Sequence, residues 1–384
     1  MQPVYNETHM ELRETVREFA KRKIQPIASR IDTEDYFPEE IFKEMGRLGL
    51  LGITVPEEYG GSGMDYAAQA LVEEELGYVS PPLALSYGAH SNLCLDSLYR
   101  NGSIQQREEY VPKLCSGEWI GSLALTEPSS GSDALAMKTE AVRDGDGFLL
   151  NGSKTLITNA PYSDLFFVYA RTGKEYTPFV VLSGDKGFSR GSKFSKMGMR
   201  GSPTGELFFD SIHLTRDRII GKENDGKNVI LNGLNSERVI LSFIFLGLAR
   251  RALELSVSYA SERKQGGQTI DRYELVQEKL AYMYSRYRAS RFLCEDALAK
   301  LKGSSKDGLS AATGILYTAE SAEYIAREAV QIHGGYGYLR DFEVERLLRD
   351  AILGQIGAGT TEIRKHIVAR ELSKSFLHSG KIPE

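Results

Sequence analysis

The sequence predicts a mainly α chain with a central β domain, and three observations carry that prediction. The first and last parts repeat apolar residues at spacings of three and four, whereas the middle part breaks into short β-rich runs separated by Gly, Asp and Ser. No long linker interrupts the 384 residues, so the parts are expected to pack as one body. The expected layout is an N-terminal helical domain over 1–120, a middle β-barrel-like domain over 121–225 and a C-terminal four-helix bundle over 226–384.

Leu12, Val16, Phe19 and Ala20 mark one helical face near the start, and Ile41, Phe42, Met45 and Leu48 mark a second. Pro and Gly punctuate "TVPEEYGGSGMD" before the next helical block. "FLLNGSKTLITNA", "DLFFVYAR", "PFVVLS" and "GELFFDSIHL" read as strands, and Asn151–Gly152 between apolar runs predicts a hairpin turn. The helical period returns after about residue 226. Residues 237–262 form one continuous pattern, and "VILSFIFLGLA" within it is apolar nearly all round, which implies burial; it is too short to cross a bilayer. Residues 273–301 carry a stripe of Leu280, Met283, Tyr284, Tyr287 and Leu298, and a third helix is expected to stop at Gly334 and Gly335.

Bulk composition excludes several classes. With 41% hydrophobic and 26% charged residues the chain has the balance of a globular protein. A net charge of -5 gives no footprint for nucleic acid or an anionic membrane, and Lys21, Arg22 and Lys23 read as a solvated helix face. Cys94, Cys115 and Cys294 are dispersed and odd in number, which suggests neither a disulfide framework nor a zinc site. The charged, amphipathic N-terminus does not resemble a signal peptide, so a cytoplasmic location is expected.

Dinucleotide-fold, P-loop, zinc-protease and α/β-hydrolase motifs are all absent from the sequence. His333 has two readings, a base or a histidine hydrogen-bonded at a helix end. "LTEPSSGSD" at 125–133 reads either as an ordinary loop or as a backbone cradle for a phosphate or a polar cofactor edge.

Six segments taken together carry more. "LTEPSSGSD", "LNGSKTLITNA", "KMGMRGS", "ERKQGG", "AVQIHGGYGYLRDFEVERLLRDA" and "IGAGTTEIRKHIVAREL" occur in this order, and with them the chain resembles the flavin-dependent acyl-CoA dehydrogenases over essentially its whole length. The resemblance implies FAD, held partly across the subunit interface of a homotetramer, and oxidation of an acyl-CoA thioester to its 2,3-enoyl-CoA. It implies a base that takes the α-proton, departure of a β-hydride to flavin N5, and an electron-transfer flavoprotein as acceptor. Carried over by motif, Leu125, Thr126, Gly131, Ser132, Ile157, Thr158, Arg263, Gln265, Gln331, Gly334, Gly335, Thr360 and Glu362 are expected cofactor contacts. Ser132, Asn235, Arg238, Gly357, Ala358 and Gly359 are expected substrate contacts. An oxidase or monooxygenase on the same fold, and a flavin-binding module without catalysis, are the competing readings.

The family's common base, a Glu ahead of the final Gly-Thr, is replaced here by Ala358. The isovaleryl-CoA dehydrogenase branch shares the Gly-Ala-Gly loop and carries its Glu on an earlier helix. "NGLNSERVIL" places Glu237, followed by Arg238, at the expected start of that helix, which makes Glu237 the candidate base. A carboxylate at a helix start also has a structural reading, because it complements the macrodipole there. Gly357, where a bulky aromatic is frequent in the family, points to a β-branched or cyclic acyl group. Leu156, Gly266 and Glu274 depart from the family pattern around the flavin.

Overall fold

The computed structural model describes residues 4–301 and 307–383. The helical, β, helical order is as expected. In the N-terminal part, Asn6 caps Glu7–Phe19 by accepting from the His9 amide, and Asp65 caps Tyr66–Val79 by accepting from the Ala67 and Ala68 amides. Pro81–Gly88 runs into a π-helical turn, Ala89–Asp96, and both are lined with buried residues. The basic cluster at 21–23 is exposed, as a solvated face should be.

Seven strands follow: β1 (Gly121–Ala124), β2 (Glu140–Asp144), β3 (Gly147–Thr158), β4 (Leu165–Thr172), β5 (Glu175–Leu182), β6 (Phe188–Arg190) and β7 (Thr204–Leu214). They form one sheet in the order β1-β4-β2-β3-β7-β6, with β5 pairing along β4. Alternate residues of β3, β4, β5 and β7 face a common core of Phe148, Leu150, Phe166, Val168, Phe179, Val181, Leu207 and Phe209. The sheet curls around that core.

One turn expectation fails. Asn151–Gly152 does not close a hairpin; it lies inside β3, at a register shift against β7. Gly152 has φ +142°, and a Cβ there would sit 2.7 Å from the Thr139 Cα, while Asn151 Oδ1 accepts from the Ser211 amide at 2.8 Å. The same glycine freedom that suits a two-residue turn here serves a bulge. The β2–β3 hairpin instead closes around Gly145 and Asp146, with Asp144 paired to Gly147.

Helices Gly226–Glu262, Glu274–Leu301, Gly308–His333 and Thr361–Ser379 make the C-terminal bundle, joined by the short helix Glu343–Ala351. Along Glu274–Leu301 Met283 and Leu298 are fully buried, whereas Tyr284, expected in the same stripe, is exposed. Residues 239–249 are buried throughout. Among the described residues no helix is long and apolar enough to cross a membrane.

A second expectation is corrected at the first of these helices. It starts at Gly226, where a Cβ would meet the Tyr176 carbonyl at 2.7 Å, and it runs for 37 residues. Glu237 is therefore about three turns inside the helix rather than at its start. The macrodipole reading of Glu237 has no support, because that effect fades within the first turn.

The helix is seated by contact of backbone on backbone. A Cβ on Gly77 would lie 2.6 Å from the Ile244 carbonyl oxygen, and one on Gly247 would lie 2.2 Å from that of Glu74. Gly247→Ala must push the helices Tyr66–Val79 and Gly226–Glu262 apart. We expect a loss of about 1–3 kcal/mol in urea unfolding, and unchanged stability would show that the two backbones are not in contact.

Candidate active site

The expected site residues fall into three groups. The first lies where β1 leaves the sheet. Leu125 is buried and Thr126 half-buried, and the Thr126 carbonyl accepts from the Thr155 amide at 2.9 Å, so the "LTEPSSGSD" segment runs beside the end of β3 that carries Ile157 and Thr158. The Thr158 carbonyl is held by the Ser122 hydroxyl at 2.7 Å. Leu156 protrudes between them with φ +58° and is 63% exposed.

A buried ion pair that the sequence did not announce sets the shape of this segment. Glu127 and Lys154 lie 2.9 Å apart with side chains 3% and 0% exposed. Lys154 also donates to the Leu125 carbonyl at 3.0 Å, and Glu127 accepts from the Lys138 and Thr139 amides at 2.6 and 2.9 Å. One carboxylate thus closes the loop 127–139 on itself, and one ammonium ties it to β3. Burial pulls Lys154 down to about 8 against the opposing charge of Glu127. Between these anchors Gly131 and Ser132 are exposed, and their N–H groups donate to no protein acceptor among the described residues.

The second group surrounds a cleft of about 470 Å³ in the C-terminal bundle. Arg263, Gln265, Gly334 and Gly335 all line it, together with Tyr259, His333 and Tyr336. Gly334 ends the helix Gly308–His333 with φ +60°, as expected, and a Cβ on Gly334 or Gly335 would meet nothing within 4 Å. Gln331 contributes its carbonyl to that helix cap, and its side chain is exposed outside the cleft lining. His333 Nδ1 bonds the Ala329 carbonyl at 2.7 Å and its ring stacks on Tyr259, so the hydrogen-bonded reading of this histidine holds.

The third group is the loop 356–360 with Glu237. Ala358 and Gly359 have φ of +54° and +88°, and their N–H groups donate to no protein acceptor among the described residues. Thr360 caps the helix Thr361–Ser379 through the Ile363 amide, and Glu362 is exposed in its first turn. Arg238 reaches the Ala358 carbonyl at 3.4 Å and donates to Asn235 Oδ1 at 3.0 Å. Arg364, with no exposed surface, donates to the Gly354 carbonyl at 2.6 Å and also to that of Gly357. Neither "EIRKH" nor its spacing marked Arg364 as part of the site.

Glu237 is half-buried, with protein surrounding its carboxylate. Burial pushes it up to about 7, opposed by the positive charges of Arg238 and Arg364. From the sheet side Tyr169 on β4 is raised, mainly by its own burial and then by the Glu237 charge. A carboxylate that titrates near neutral pH, close to a loop with free N–H donors, can accept a proton while such a loop stabilises a developing oxyanion.

Comparison with known proteins decides the family. The models of the acyl-CoA dehydrogenase N-terminal, middle and C-terminal domains match residues 6–118, 122–212 and 224–373. The chain belongs to the acyl-CoA dehydrogenase family. It is 42% identical over 380 residues to the mitochondrial isovaleryl-CoA dehydrogenase of Pongo abelii, covering 97% of this chain and 90% of that protein. A glutaryl-coenzyme A dehydrogenase solved with glutaryl-CoA matches with a TM-score of 0.94 and 34% identity, over 100% of this chain and 99% of that one. The prolyl acyl carrier protein oxidase AnaB matches with a TM-score of 0.92 and 33% identity, over 96% and 99% of the two chains.

As a family member the protein is an FAD-dependent oxidoreductase that dehydrogenates acyl-CoA. The residues present suit that cofactor. The Gly131–Ser132 and Gly334–Gly335 segments leave backbone open to close approach, the free amides suit polar and anionic acceptors, and Arg263 adds a cation to the cleft. When bound, FAD supplies the acceptor for the hydride.

Lys154→Met leaves the Glu127 carboxylate buried without its counter-charge. The expected cost is about 3–5 kcal/mol in chemical unfolding, with much of it recovered when Glu127→Met is added. Equal losses for the single and double variants would show that the pair is not a unit.

Proposed function

We propose that the protein dehydrogenates a β-branched or cyclic acyl-CoA, with Glu237 as the base that takes the α-proton. The observation that carries this reading is the third group: Glu237 is held near neutrality beside the only kind of loop backbone that the Glu-to-Ala exchange leaves intact, an amide at position 358. A solvated carboxylate, ordinarily near 4.3, is a weak base toward a C–H acid; one raised to about 7 stays ionised in useful amount and holds a proton better. The N–H groups of Ala358 and Gly359 stand where a thioester oxygen gaining charge can be bound. Asn235 orients Arg238, and Arg238 steadies the Ala358 carbonyl.

Support for the acyl group comes from Gly357, which carries no side chain here and where an added Cβ would meet only Leu353, at ordinary contact distances of 3.6 to 3.9 Å. The isovaleryl-CoA relative points the same way. We further propose that Leu125, Thr126, Gly131, Ser132, Ile157, Thr158, Thr360 and Glu362 lie along one FAD, and that Arg263, Gln265, Gln331, Gly334 and Gly335 serve the FAD of a neighbouring copy in a homotetramer. In this reading electrons leave to an electron-transfer flavoprotein in the cytoplasm. Peroxide formed at the rate of turnover in air, the behaviour of an oxidase, would overturn that acceptor.

Anaerobic titration with straight, branched and cyclic acyl-CoA esters, following the visible flavin band, tests the base and the acyl group together. A branched or cyclic ester should bleach the wild type, and Glu237→Gln should bind it with bleaching slowed at least about 10²-fold. Bleaching by the variant at the wild-type rate, or preference for straight chains, sinks the corresponding half of the proposal.

The pH dependence has a definite sign. The base works only when ionised, so kcat/KM should rise with pH through about 7. Stability runs the other way: the folded-state value lies above the unfolded one, so the native state holds the proton more tightly. The contribution is full below the ordinary carboxylate range and is lost as pH rises through about 7. Melting curves of the wild type and Glu237→Gln should therefore diverge between about pH 4 and 7, with the wild type losing stability relative to the variant.

A further inference from the structure

Arg364 carries a charge that nothing at hydrogen-bond distance neutralises. Its side chain is fully buried, its Nη atoms are spent on the Gly354 and Gly357 carbonyls, and its Nε has no partner among the described residues. No carboxylate forms a described ion pair with it. A buried guanidinium in that state is costly unless a negative charge lies within reach. The carboxylates that act on it through space are Glu237, on Gly226–Glu262, and Glu320, on Gly308–His333. Glu320 is already engaged with Lys365 at 3.0 Å, which leaves Glu237 as the uncommitted one.

Resting on the reading of Glu237 as the base, we propose that Arg364 is a positioning residue: it holds the Gly354 and Gly357 carbonyls that lead into the Gly-Ala-Gly loop and is a second buried counter-charge, beside Arg238, that favours the ionised form of Glu237. One side chain thereby links the two halves of the site. Its fork fixes the chain on either side of Ile356, which sets where the Ala358 and Gly359 amides lie. Its charge opposes the burial that drives Glu237 toward the neutral acid. Arg238 faces Glu237 from the same helix, Tyr169 faces it from β4, and Arg364 is the cation that reaches it from Thr361–Ser379. Arg238 also opposes Arg364 by like charge, and burial brings Arg364 down to about 10.

The requirement follows from moving the base. A Glu carried on the loop itself would be solvated and steered by that loop's own backbone. A largely enclosed Glu three turns inside a helix has little water to stabilise its anion and relies on nearby cations, Arg238 on its own helix and Arg364 on another element. Lys cannot do both jobs equally well, because it offers charge without the two-pronged planar donor set.

Two substitutions separate charge from geometry. Arg364→Gln removes the charge, and Arg364→Lys keeps it while losing the fork. The expected result for Arg364→Gln is an acid limb of kcat/KM displaced upward by about one pH unit. For Arg364→Lys the limb should stay where the wild type has it, with a lower kcat at saturating substrate because the loop amides are less well placed. A second readout does not need turnover: the upper end of the pH range over which the melting temperatures of Glu237 and Glu237→Gln proteins diverge should rise in the Arg364→Gln background and not in the Arg364→Lys background. An unmoved acid limb and an unmoved divergence in Arg364→Gln, with Glu237→Gln still inactive, overturns the proposal while leaving the base in place. If Glu237→Gln is active, the base reading itself has failed. If Arg364→Gln does not fold, the Arg364→Lys limb decides, and a limb displaced as the pH titration of a lone buried acid predicts would overturn the proposal.

Discussion

Everything at the site depends on how closely the helix Gly226–Glu262 lies against Tyr66–Val79. The contact at Gly77 and Gly247 lets two backbones meet with no side chain between them, and the surrounding charges close over it. Glu74 pairs with Arg13, Arg250 and Arg291, and Glu75 with Arg13, Arg17 and Arg250, through carboxylates with almost no exposed surface. Several cations per carboxylate are what make such burial tolerable, and Arg250 holds Glu75 down to about 2. A clamp of this kind keeps the long helix from sliding, and so keeps Glu237 at one height along its axis.

Glu237 shows the opposite use of the same physics. Glu75 is buried among cations that bond it directly and is held fully ionised. Glu237 is buried with cations acting only through space and is left near neutrality. The difference between the two carboxylates is the presence of direct donors at Glu75 and their absence, among the described residues, at Glu237.

Some of this architecture is legible in the sequence and some is not, for identifiable reasons. The buried run at 239–249 and the stop at Gly334 follow from periodicity and from the lack of a Cβ, both local properties. Asn151–Gly152 misled because a bulge and a turn ask the same thing of glycine, and only the Thr139 backbone across the sheet distinguishes them. The start of the long helix was placed too late because "NGLNSE" carries cap-like residues, whereas the helix is held open further back by the packing of Gly226 on Tyr176. Arg364, which bonds backbone carbonyls, and the Glu127–Lys154 pair were invisible because the partners of a buried charge have no sequence period.

By itself the sequence determined the class of fold, the absence of a glutamate from the final loop and a candidate to replace it, because composition, period and motif are written along one dimension. It left open whether Glu237 was a helix-end carboxylate or something with a function. Tertiary structure removed the helix-end reading, by placing Glu237 three turns inside a helix, beyond the reach of the helix dipole and in the field of Arg238 and Arg364. Desolvation and Coulomb energy depend on what surrounds a group in three dimensions, and those surroundings come from parts of the chain more than a hundred residues apart.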